Sequence, residues 1–140
     1  MILRDLISCL PRVTVSGSLD VEIESLTASS REAKPGVLFA AIRGTSTDGH
    51  QYIPDAIAAG VAAILSESAP PADYDPAVTW LHVPDTPAAV SALASQIEGH
   101  PWKEMAIAGV TGTNGKTTTT FLIHHVMKSV WHRAGLLGTS

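Results

Sequence analysis

The feature that most constrains this chain is an apolar stretch, residues 105–110, running into Thr111-Gly112-Thr113-Asn114-Gly115-Lys116-Thr117-Thr118. Read as a strand, a glycine-bearing loop and the start of a helix, it is a phosphate cradle. Glycines let the backbone curl so that several N–H groups point at one oxyanion. The helix that follows adds the positive end of its dipole. Lys116 puts a cation on the terminal phosphates and is the candidate catalytic residue. The Thr117 hydroxyl is the candidate Mg²⁺ ligand. Gly112, Thr113, Asn114, Gly115, Lys116, Thr117 and Thr118 are the candidate ATP contacts. Thr119 and Thr120 read as first-turn helix residues. The strict loop spacing, G-x-x-x-x-G-K-[ST], asks for glycine where Val110 stands. A turn that merely joins strand to helix is the bland alternative. The intact Gly-Lys-Thr, the extra Gly112 and the strand–loop–helix context together outweigh it.

Upstream, short apolar runs alternate with turns and helical patterns, which argues for an α/β layer fold. Leu3, Leu6, Ile7 and Leu10 have helical spacing and stop at Pro11. Val21, Ile23 and Leu26 suggest an extended segment. Residues 37–42, 61–65 and 78–83 read as buried strands. Residues 44–49 form a polar loop. Tyr52-Ile53-Pro54 opens a helix that Gly60 stops. A second helix is capped by Asp85 or Thr86, with Pro87 in its first turn and Val90, Leu93, Ala94 and Ile97 along one face. Gly99-His100-Pro101 breaks it and marks the expected domain boundary. The expected architecture is an N-terminal mixed α/β domain over residues 1–100. Residues 101–140 then supply the first strand–P-loop–helix of a truncated P-loop ATPase domain, with residues 134–137 opening another strand. One βαβ unit of this size cannot close a core alone.

Charge and composition narrow the function. Nine Lys and Arg against thirteen Asp and Glu give a net charge of −4, which argues against sequence-independent nucleic-acid binding. No apolar run approaches the roughly 20 residues of a membrane span, so no membrane insertion is expected. Asp5 interrupts the N-terminal apolar stretch and no small-residue cleavage pattern follows, which argues against a signal peptide. The single cysteine, Cys9, cannot form an intramolecular disulfide and fits the cytoplasm. It reads as a small core residue. His124, His125 and His132 show no i,i+4 metal spacing. His50 reads as a loop-shaping residue. Trp80, Trp102 and Trp131 are too dispersed for a nucleic-acid stacking platform. Arg31 reads equally as a phosphate contact or a structural ion pair.

The loop wording resembles the ATP-binding loop of the Mur ligases, which make amide bonds in peptidoglycan precursors and tend to lack the first loop glycine. A second resemblance lies upstream, in Ser30-Arg31, Lys34-Pro35-Gly36-Val37-Leu38-Phe39-Ala40-Ala41, Gly44-Thr45, Asp48-Gly49-His50 and Tyr52-Ile53-Pro54-Asp55-Ala56. These look like the N-terminal domain of the family member that adds the third peptide residue. The resemblance implies that this domain holds the UDP end of UDP-N-acetylmuramoyl-L-alanyl-D-glutamate. Ala28 and Ser30, with Thr45, Ser46 and Thr47, match its contacts; short hydroxyls and loop amides suit uracil and diphosphate oxygens. The family usually has Asp where Ser29 stands. It also implies ATP and Mg²⁺, a diamino acid as second substrate, and an acyl phosphate on the D-glutamate side chain. The family's remaining catalytic groups lie downstream of its phosphate loop, and 22 residues follow Thr118 here. The expectation is a ligase fragment that does not turn over alone. Two alternatives stay open. One is the related ligase that adds the terminal dipeptide. The other is a stand-alone UDP-sugar-nucleotide-binding module without catalysis.

Overall fold

A computed structural model describes residues 1–44, 47–131 and 133–138. The chain divides into two compact units, Met1–Lys103 and Glu104–Ser140.

In the first unit, α1 (Leu3–Leu6) leads into a 3-10 turn, Ile7–Cys9, and Leu10 is extended ahead of Pro11. The amphipathic pattern is therefore met by one turn of α-helix and a 3-10 turn, and it ends at Leu10 because the residue before a proline is pushed out of the helical region. The strands are β1 (Thr14–Ser16), β2 (Ser25–Thr27), β3 (Val37–Ala40), β4 (Ala63–Ser66) and β5 (Thr79–His82). Two helices accompany them, α2 (Ile53–Ala58) and α3 (Thr86–Ile97). Among the described residues the strands form one sheet in the order β1-β5-β4-β3-β2. β2 to β5 are parallel, and β1 closes the β5 edge antiparallel. β1 has no counterpart in the sequence reading: a three-residue half-exposed edge strand leaves too short a pattern to see.

The apolar run of β3 is buried on both faces, as parallel strands under two helix layers are. Leu38 and Ala40 join Leu65, Leu81, α1 and Leu93 of α3 in one core. Val37, Phe39 and Ala41 join Ile64, Trp80 and Ala56 of α2 in the other. Two buried polar side chains are answered by backbone carbonyls: Thr79 Oγ1 donates to Ser18 at 2.8 Å, and Trp80 Nε1 donates to Ser68 at 2.9 Å, whereas buried Thr86 Oγ1 has no partner among the described residues. The Asp85 side chain accepts from the Ala88 N–H at 2.8 Å and caps α3. Because β2, β3, β4 and β5 run parallel, their carboxyl ends lie at one end of the sheet. That is where open α/β sheets bind ligands.

The second unit holds α4 (Lys116–Trp131). Residues 105–110 and 134–137, expected as strands, are not strands in the structure. A strand is defined by its ladder, and among the described residues of this unit neither segment has a partner to pair with. No described side chain of the unit is buried. Ile107, Phe121, Leu122, Val126 and Val130 are all exposed.

Candidate functional site

In the first unit a candidate site grows from the carboxyl end of β2. Thr27 Oγ1 accepts from the Ser29 N–H at 3.1 Å and donates to Glu32 Oε2 at 2.5 Å. These bonds turn the chain into a 3-10 segment, Ser30–Glu32, whose capping residue Ser29 is extended and makes no side-chain cap bond. Ala28, Ser29, Ser30 and Arg31 then line an open cavity of about 330 Å³, with Tyr52 contributing from the loop after β3. A larger depression of about 580 Å³ lies on the other side of Arg31, lined by residues 25–27 and 31–34. The smaller one holds Ala28 and Ser30, the residues singled out by sequence, and combines hydroxyls, a cation and an aromatic ring. We therefore take it as the candidate site. Among the described residues Arg31 forms no ion pair, which leaves its charge for an anion.

The loop after β3 is built tightly. Gly44 N–H donates to the Thr47 carbonyl at 2.9 Å, and Gly49 N–H donates to the Ile42 carbonyl at 2.8 Å. Asp48 accepts from the His50 backbone N–H at 3.0 Å and pairs with its ring Nδ1 at 2.6 Å. A carboxylate can only accept here, so Nδ1 carries the proton. The His50 amide and then its ring hold the Asp48 carboxyl below the usual carboxylate range. His50 thus shapes the loop, as its position after Asp48-Gly49 suggests. Thr47 is exposed. Thr45 and Ser46 lie outside the described residues, as does His132.

A separate candidate site is the loop of the other unit. Gly112 has φ 150° and Gly115 φ 75°, a region open to glycine and strained for other residues. Lys116 Nζ donates to the Gly112 carbonyl at 2.5 Å and reaches the Thr113 carbonyl at 3.5 Å. The first α4 backbone bond runs from Thr119 N–H to the Gly115 carbonyl at 2.9 Å. The amides of Lys116, Thr117 and Thr118 are therefore the orphan donors of a helix start. Among the described residues the Thr117 and Thr118 hydroxyls have no hydrogen-bond partner, whereas Thr120 Oγ1 is engaged by the Lys116 and Thr117 carbonyls. The donor set fits a phosphate chain and a hard cation held by a hydroxyl: cation, amides and hydroxyl are exposed together and Thr120 is not among them.

The remaining candidates are structural. Cys9 is half-buried, its Sγ lies 3.3 Å from the Leu6 carbonyl, and burial pushes its thiol up, away from nucleophile character. His124 Nε2 lies 3.1 Å from the Ala134 carbonyl. No group of three metal-ligating side chains occurs among the described residues. No described helix is long and apolar enough to cross a membrane. Sequence reasoning did not single out Tyr52 as a lining residue of this cavity, because Tyr52-Ile53-Pro54 carries a helix-start signal that accounts for it without a ligand.

A family model described as "Mur ligase family, catalytic domain" matches residues 22–98, which lie in the first unit ahead of the phosphate loop. Curated relatives match across nearly the whole chain. The UDP-N-acetylmuramoyl-L-alanyl-D-glutamate--2,6-diaminopimelate ligase of Bacteroides fragilis is 38% identical over 99% of this chain and 28% of its own length. The UDP-N-acetylmuramyl-tripeptide synthetase of Roseiflexus sp. is 46% identical over 84% of this chain and 23% of its own length. The chain thus spans roughly a quarter of the curated relatives it matches. Among solved structures, MurF from Acinetobacter baumannii superposes with a TM-score of 0.58 at 26% identity, covering 77% of this chain and 23% of that one. The MurF ligase of Thermotoga maritima, in complex with ADP, gives 0.55 at 27% identity, covering 76% and 23%. The parallel sheet, the strand-end cavity and the matched span of more than half the chain lead to one assignment: the chain belongs to the Mur ligase family.

Proposed function

We propose that this chain carries two parts of an ATP-dependent ligase adding the third residue to UDP-N-acetylmuramoyl-L-alanyl-D-glutamate. Residues 1–100 are the UDP-substrate-binding domain. Residues 101–140 are the start of the ATP-binding central domain. The observation that carries the reading is one chain holding both a strand-end cavity, lined by Ala28, Ser30 and Arg31, and a Gly-Lys-Thr loop before α4.

In this reading Ala28, Ser30 and the loop of Thr45, Ser46 and Thr47 hold the UDP end. Lys116 leaves the Gly112 carbonyl to meet the terminal phosphates. The amides of Thr117 and Thr118 point at the same oxygens. Thr117 Oγ1 would hold Mg²⁺, which supplies further neutralisation of the transferring phosphoryl group. The phosphoryl group passes from ATP to the D-glutamate side-chain carboxylate, and the amine of a diamino acid displaces it as phosphate. These are reactions of the cytoplasm, where ATP and the nucleotide precursor occur together. The related ligase adding the terminal dipeptide is a second reading, favoured by the likeness to MurF structures. The higher identity to tripeptide-forming relatives supports the first.

The test is equilibrium binding to the purified chain of UDP-N-acetylmuramoyl-L-alanyl-D-glutamate and of ATP with Mg²⁺, separately and together. Two independent one-to-one sites are expected. Binding of ATP with no binding of the UDP substrate overturns the reading.

A further inference from the structure

Tyr52 stands in the nucleotide cavity without a role in the reading above. Its backbone is held from both sides: the 3-10 turn Gly49–Tyr52, capped by Asp48, precedes it, and α2 begins at Ile53. Tyr52 lines the cavity with Ala28, Ser29, Ser30 and Arg31, and is the one aromatic residue among them. Tyr52 remains 36% exposed, although α2 lies against the core. Its hydroxyl has no hydrogen-bond partner among the described residues, so hydrogen bonding does not explain its place. The rest of the lining is a methyl group, two short hydroxyls and a guanidinium outside any described ion pair. A tyrosine beside small hydroxyls and a guanidinium suits a ligand with a planar base and an anionic tail. An uncharged sugar alone would leave the guanidinium unused.

We propose that the Tyr52 ring is the stacking face for the uracil base, and that Arg31 neutralises the attached diphosphate. The proposal rests on the reading that this cavity takes the UDP end of the substrate. Tyr52 is then a specificity residue, acting through its π-face rather than its hydroxyl. A base stacks on phenylalanine as on tyrosine, and gains little from leucine. Arg31 acts on charge, so it discriminates UDP from uridine and leaves the base contact alone.

The experiment is an amide-resolved NMR titration of the full chain with UDP and with uridine. Shifts at residues 28–31 report this cavity, and shifts at residues 112–118 report phosphate-loop binding separately. Tyr52→Leu, which keeps an apolar side chain of similar reach, should weaken UDP at residues 28–31 by about tenfold. Tyr52→Phe should stay within about twofold of the unaltered chain. Arg31→Gln should weaken UDP by about tenfold and uridine hardly at all. The dispersion of each spectrum shows that the variant is folded. A folded Tyr52→Leu chain with unaltered UDP affinity overturns the proposal, as does a Tyr52→Phe chain as weak as Tyr52→Leu. If UDP moves no amide at residues 28–31 of the unaltered chain, the nucleotide reading fails, and this proposal fails with it.

Discussion

The Asp48 carboxylate answers two donors of one residue, the His50 backbone N–H at 3.0 Å and the His50 ring Nδ1 at 2.6 Å. Those bonds, the amide first, hold Asp48 below the usual carboxylate range. A carboxyl depressed in the folded state contributes order above its unfolded value, and the contribution is lost as pH falls through the folded value. The turn Gly49–Tyr52 should therefore be insensitive to pH from about 7 down to about 4 and loosen below that. Amide exchange at Gly49 and His50, followed by NMR across that range, checks it. Asp48→Ala should remove the protection and its pH dependence together.

Gly49 is required for space. A Cβ there would sit 2.7 Å from the Ile42 carbonyl oxygen and 2.8 Å from the Ile42 nitrogen, both backbone atoms. Gly49→Ala should cost about 1–3 kcal/mol, the usual cost of overpacking. The unfolding midpoint should fall by roughly 4–8 °C per kcal/mol. Gly109, where nothing lies within 4 Å of a built Cβ, is the control: Gly109→Ala should leave the midpoint unchanged.

The two units should respond differently to cavity-forming changes. Leu38 is fully buried between β3 and the α1–α3 layer, so Leu38→Ala should cost about 2–5 kcal/mol. Phe121 on α4 is 59% exposed, and Phe121→Ala should change stability by less than about 0.5 kcal/mol. Denaturant unfolding of both variants provides the comparison.

Among the described residues Lys116 bonds only its own loop, and it is exposed. Lys116→Ala should leave the fold intact and weaken ATP binding by at least about tenfold, the usual scale for losing a charged hydrogen bond. Thr117→Val should remove the Mg²⁺ dependence of ATP binding while leaving a weaker, metal-independent component. Calorimetric titration with ATP, with and without Mg²⁺, reads both.

Much of this was legible in the sequence because local and global signals agree. The runs at Val37, Ala63 and Thr79 became strands, Asp85 and Pro87 started α3, and Lys116 opened α4. The failures have physical causes. The run at residues 105–110 has strand composition, but pairing is a non-local property and no partner strand is described in that unit. Pro11 accounts for the extended Leu10 that ends the N-terminal helical segment, and the change to a 3-10 turn at Ile7–Cys9 is not marked in the sequence. Among the candidate site residues, the Gly-Lys-Thr loop is read from its pattern, and Ser30 came in through the family resemblance alone. Tyr52 is singled out by neither: it reaches the β2 end only because β2 and β3 are neighbours in the sheet, a relationship that spacing along the chain does not encode.

The central claim is that the uracil end of a UDP substrate sits beside residues 28–31. Photo-crosslinking with 5-azido-UDP, followed by peptide mass spectrometry, tests it most directly. Labelling is expected on residues 28–31 or Tyr52, suppressed by UDP-N-acetylmuramoyl-L-alanyl-D-glutamate and unaffected by ATP. Labelling confined to residues 112–118, or labelling that the UDP substrate does not suppress, would contradict it.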